Sequence, residues 1–255
     1  MKPEKIQGGS SMGLFLLACL IMLGSVGSVT SVALAQEGAT SKAAIIGFSA
    51  DGKYVAYEVY GDSAISPDGH SIIRIVNVAK NRFVGKRIIH GEEYVDGVTM
   101  DTIRAAARKK AGILFRRLGI IPGERPGEEI NIREKRDPDT QGGFRIDFTA
   151  NKGYYQLELF EKIYLRKGLC REQLGDTKMK IFTLRLKERI SGGFKILQKD
   201  RKLYKSRGCV FDYYFDSAYT YEDSLVVFIN AKSINHEGPQ LTQLVVTGTL
   251  RFRYR

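Results

Sequence analysis

Phe48-Ser49-Ala50-Asp51-Gly52-Lys53-Tyr54-Val55-Ala56-Tyr57 reads as strand, tight turn, strand. Asp-Gly is a strong hairpin signal, because glycine takes up positive φ without steric penalty. Beyond the turn, Tyr54, Ala56 and Glu58 alternate with Val55, Tyr57 and Val59, the period of a strand with two distinct faces. Ser66-Pro67-Asp68-Gly69 supplies a second turn, and Ser71–Val78 is a β-branched strand carrying Ile73, Ile75 and Val76. Asn77–Asn81 then turns into a short strand at Arg82-Phe83-Val84. Four short antiparallel strands are therefore expected.

Downstream the period changes. In Asp101–Leu118, Ile103, Ala107, Leu114 and Leu118 recur at helical spacing, which predicts one amphipathic helix. Arg104, Arg108, Lys109 and Arg116 are expected on its other face, with Lys110 and Arg117 at the border. Asp101 is the expected N-cap, Gly119 the stop, and Pro122 blocks resumption. Residues 122–143 hold three of the six prolines and read as a loop. From Phe144 onward alternation returns, in Phe144-Ile146-Phe148, Tyr155-Leu157-Leu159, Phe182-Leu184-Leu186, Leu225–Ala231 and Leu244–Phe252. The expected fold class is β-rich α+β: antiparallel sheets with one main amphipathic helix.

The first 35 residues read differently. Lys2 and Lys5 precede an apolar run from Gly13 to Val26, and Ala33-Leu34-Ala35 offers small residues where a signal peptidase cuts. The reading is a cleaved signal peptide ending at Ala35, followed by a single exported domain over 36–255. A retained anchor, and lipidation at Cys19 after Leu16-Leu17-Ala18, are the alternatives.

Removing Lys2, Lys5 and Glu4 lowers the formal charge of +12 by one unit. So basic a chain favours anionic partners. For an exported protein these are envelope components, including an anionic membrane surface, or a protein partner, rather than nucleic acid. Cys170 and Cys209 are the cysteines outside the leader, and in an oxidising compartment they read as a disulfide. Closing a loop of about 40 residues would stabilise by roughly 3–4 kcal/mol in the chain-entropy model.

Motifs that carry chemistry are scarce. His70, His90 and His236 form no spaced metal pair, and neither a nucleophile elbow nor a phosphate loop is present. No metal or cofactor is expected. Asp212, Tyr214, Asp216, Tyr219 and Tyr221 are the ligand-binding candidates, since carboxylates beside tyrosines can bind sugars or act as acid and base. His236-Glu237-Gly238-Pro239 reads as a solvated hairpin tip.

Several short motifs agree in order with a known family. They are Gly47-Phe48-Ser49, Asp51-Gly52, Tyr54, Ala56-Tyr57-Glu58 and Tyr60-Gly61, then Leu197-Gln198-Lys199-Asp200 and Ser206-Arg207-Gly208-Cys209 with Tyr213, and finally Glu237-Gly238-Pro239 and Val246-Thr247-Gly248. The chain resembles, over about residues 44–250, a bacterial family of predicted secreted proteins that has no assigned activity. The resemblance implies export and carries no catalytic residues. The charged, proline-containing connection between Tyr60 and Ile72 departs from the family pattern. The Phe48–Tyr57 stretch also resembles one blade of TolB- and WD40-type propellers, but a propeller needs several blades of about 40 residues and the signal occurs once. The functional expectation is a periplasmic, non-enzymatic binding protein of the envelope. A hydrolase of an envelope polymer and a structural or assembly factor are the alternatives.

Overall fold

A computed structural model describes residues 42–62, 69–85, 89–91, 99–132, 135–137, 143–165, 170, 178–204, 207–235 and 238–252. Cys19, the Ala33–Ala35 cleavage signal, the Ser66–Asp68 turn and His236-Glu237 lie outside them.

The opening motif folds as its residues predict. Strands β1 (Lys42–Phe48), β2 (Tyr54–Asp62), β3 (Gly69–Asn77) and β4 (Arg82–Phe83) form an antiparallel sheet in that order, with β5 (Ile89–Gly91) also on β3. The turn between β1 and β2 is closed by its own side chains. The Ser49 hydroxyl donates to Asp51 Oδ1 at 2.7 Å and accepts from the Tyr54 N–H at 2.9 Å. That hydroxyl, with the Lys53 N–H, holds the Asp51 carboxyl below the usual carboxylate range. Gly52 sits at φ 67°, and a Cβ there would lie 2.7 Å from Ser224 Oγ. That same hydroxyl donates to the Gly52 carbonyl at 2.7 Å. The glycine thus serves two ends, the turn and the docking of this sheet onto a later one.

Helix α1 (Met100–Leu118) follows. Thr99, rather than Asp101, is its N-cap: the Thr99 hydroxyl accepts from the Thr102 N–H, and Asp101 sits exposed in the first turn. A hydroxyl aimed at an orphan N–H outranks an acid one turn inside. Gly119, at φ 66°, ends the helix as expected. The buried stripe is Ile103, Ala107, Ala111 and Phe115, with Leu114 and Leu118 only partly covered. Two alanines let the helix lie close on Ala56, Ile73 and Ile75 of the first sheet.

The stretch expected as a connecting loop contributes β6 (Glu128–Glu129) and β7 (Lys135–Asp137). Then come β8 (Gly143–Ala150), β9 (Gly153–Ile163), β10 (Lys180–Glu188), β11 (Phe194–Lys199), β12 (Cys209–Tyr221), β13 (Ser224–Asn235) and β14 (Gly238–Thr249). A second sheet has the order β11-β10-β9-β8-β7, and a third has β14-β13-β12-β6. Both are antiparallel.

Alternation in β13 shows how the layers stack. Leu225, Val227, Ile229 and Ala231 join the large core shared with Leu157, Leu159, Leu184 and Leu186 of the second sheet. Val226 and Phe228 point the other way, onto Phe48, Val55, Tyr57 and Val76 of the first sheet. The third sheet, although last in sequence, is therefore the middle layer. The order is α1, first sheet, third sheet, second sheet. A strand buried on both faces loses its polar alternation, which explains the continuous Leu225–Ile229 apolar run. Cys170 and Cys209 form the expected disulfide, with Cα atoms 5.6 Å apart. It ties the start of β12 to Cys170, and Cys209 is buried beside Met179.

Candidate functional site

Glu58 lies on the β2 face that meets the helix, and its side chain is fully buried (0% exposed). Such a carboxylate requires charged partners. Arg104 donates from Nε to Glu58 Oε1 at 3.0 Å and pairs with the same oxygen through Nη2. Arg108 Nη2 reaches Oε1 at 2.6 Å and its Nε reaches Oε2 at 3.3 Å. The Arg104 guanidinium also covers the Tyr60 ring at 4.0 Å. The hydrogen bond to Glu58 raises the already high pKa of Arg104. Two of the four candidate surface cations thus clamp the helix to the first sheet.

The outward face of α1 is different. Lys109, Lys110, Arg116 and Arg117 are exposed, and none forms an ion pair among the described residues. Residues three and four apart are neighbours on a helix. The four cations are therefore the helical neighbours of Ile113, which is 74% exposed. An apolar side chain stands in the middle of a basic ring, on a helix fixed from behind.

The β12 candidates divide. Tyr221 stacks on Phe48 with centroids 5.3 Å apart, and Tyr219 meets the Phe228 ring edge-on at 6.1 Å. Both pack between the first and third sheets. Burial, with Glu129 adding to it, raises the Tyr219 hydroxyl above its ordinary range. Asp212, Tyr214 and Asp216 lie farther along the same strand. Asp212 is 3.6 Å from Lys180 Nζ, which itself pairs with Glu161 at 2.7 Å, and 3.9 Å from Lys232 Nζ. Lys232 Nζ sits 4.9 Å over the Tyr214 ring. Asp216 accepts from Asn230 Nδ2 at 3.0 Å and from Gln243 Nε2 at 2.7 Å. It borders a shallow depression with Glu129 and Ile130. These three form a polar platform in which Asp212 is paired with lysines and Asp216 is held by two side-chain amides.

Among the described residues no group of three His, Cys, Asp or Glu side chains could hold a metal ion. No described helix is long and apolar enough to cross a membrane.

Residues 48–249 match the model of the family described as "Predicted secreted protein (DUF2259)", and the chain belongs to that family. No curated protein and no solved structure matches the chain.

Proposed function

We propose that this member of a predicted secreted family is a non-enzymatic binding protein of the bacterial envelope. In this reading it works in the periplasm after removal of residues 1–35, and it docks on an anionic envelope surface through the outward face of α1. The observation that carries the reading is Ile113, 74% exposed and ringed by four cations that form no ion pair among the described residues. A basic ring around an apolar centre suits an interfacial contact: the cations meet lipid phosphates while the isoleucine enters the headgroup boundary. Each cation near an anionic leaflet contributes about 1 kcal/mol, an attraction that salt screens. The Glu58 clamp holds the helix axis against the sheet, so the face is presented without ordering a flexible segment.

The test is sedimentation of the mature protein with phosphatidylglycerol vesicles. Wild-type protein is expected to sediment at low salt, to be released at high salt, and to ignore phosphatidylcholine vesicles. Reversing Lys109, Lys110, Arg116 and Arg117 to glutamate is expected to abolish sedimentation. Unchanged sedimentation of that variant would remove the docking claim.

A further inference from the structure

Three sheet edges meet along one side of the molecule: β4 of the first sheet, β11 of the second and β14 of the third. At one end side chains lace them together. Asn81 Oδ1 accepts from the Thr247 N–H at 3.0 Å, while Asn81 Nδ2 donates to Gln198 Oε1 at 3.2 Å. The Thr247 hydroxyl donates to the Val78 carbonyl at 2.9 Å, and Lys195 Nζ donates to the Thr249 carbonyl. Toward Thr242 the edges part and leave a groove of about 330 Å³. Arg74, Phe83, Phe182, Gln198 and Arg207 wall it, and Thr242–Val246 form its floor.

The floor is a strand edge that pairs with no other strand among the described residues. Asn81 takes the Thr247 N–H, so that N–H points away from β13. Backbone direction alternates in an antiparallel pair, so the N–H and C=O of Val245 and Gln243 also face the groove. Neither pair of groups has a partner among the described residues. Gln243 Oε1 is buried and equally unpartnered. Edges of this kind are normally blunted with charge, yet Gly238–Thr249 contains no charged residue.

The walls supply the charge. Arg207 is matched by Asp200. Arg74 lies 5.1 Å over the Phe83 ring, but it has no acidic partner among the described residues. None of the groove's lining residues is acidic. A second copy of this chain adding its own β14 would bring no carboxylate to Arg74.

We propose that this groove binds an extended peptide segment of a different protein, added as a strand to β14, with an Asp or Glu side chain of that segment paired to Arg74. Strand addition satisfies the Val245 and Gln243 backbone groups, and the side-chain pocket selects an acid at one register position.

The probe is a random octapeptide library displayed on phage and panned against the mature protein. The expected result is an enriched group of peptides carrying an acid at one fixed position. Arg74→Gln should weaken those peptides about tenfold or more, and their acid-to-amide counterparts should bind wild type and Arg74→Gln alike. Val245→Pro should abolish binding of both kinds. Its lost N–H faces the groove, so the β13 ladder keeps its bonds. Near-UV circular dichroism checks that both variants are folded. No enriched group, enrichment without an acid, or binding that survives both variants would overturn the proposal. So would a wild-type dimer in sedimentation that Val245→Pro converts to monomer, since that would give the edge to a second copy.

Discussion

Glu58→Ala is expected to destabilise the protein by about 3 kcal/mol, lowering its melting temperature by roughly 6–12 °C for a chain of this size. The carboxylate is fully buried and receives both Arg104 and Arg108. Deleting it leaves two guanidinium groups at the helix–sheet boundary with no buried anion, since the remaining partner of Arg104, Asp101 at 3.5 Å, is on the surface. Arg104 is 23% exposed and Arg108 40%, so part of each charge can turn to water, which places the loss at the lower end of the range for broken buried pairs. A thermal melt of the mature variant measures it. The triple replacement Glu58→Leu, Arg104→Met and Arg108→Met should recover most of the stability, because apolar groups of similar volume can replace a buried ion cluster at little net loss. A single-mutant loss below 1 kcal/mol would mean that the clamp contributes little.

Loss of the disulfide is the other large effect. Cys209→Ser, or reduction of the intact protein, should remove roughly 3–4 kcal/mol by freeing the 39-residue separation in the unfolded chain. The Cys209→Ser variant also leaves a polar hydroxyl where Cys209 is buried beside Met179. Mass spectrometry of exported protein should find no free thiol, and the reductant-treated protein should melt earlier. Two free thiols, or a melt indifferent to reductant, would contradict the assignment.

Local chemistry made the first sheet legible. The Asp51-Gly52 turn, the β-branched Ile73–Val76 run and the Asn77–Asn81 turn each act within a few residues, so β1 to β4 follow from them. The cysteine pair was readable because just two of the three cysteines lie beyond residue 35. What the sequence hid depends on distant contacts. Glu58 stands in the correct alternation, but nothing nearby reveals that a helix over 40 residues later seals it from water. Arg104 and Arg108 look like surface cations until Glu58 is seen beneath them. Tyr219 and Tyr221 look like a wet face until Phe48 and Phe228 are packed against them. The true apolar stripe of α1 was blurred by Ala111, which reads as neutral yet sets how closely the helix can approach. One signal was present and unread: the residues three and four from Ile113 on either side are all cations. The groove at β14 was beyond sequence reading, because it exists where three sheets meet.

The chain contains no tryptophan, which makes the docking face directly measurable. Ile113→Trp places one fluorophore at the centre of the basic ring. Phe194→Trp places one on the exposed surface of the second sheet, at the far side of the layers. With phosphatidylglycerol vesicles the emission of the tryptophan at 113 should shift to the blue and be shielded from an aqueous quencher. Phosphatidylcholine vesicles should leave it unchanged, and the tryptophan at 194 should respond to neither. An unshifted signal at 113, or a shift at 194 instead, would contradict docking through the outward face of α1.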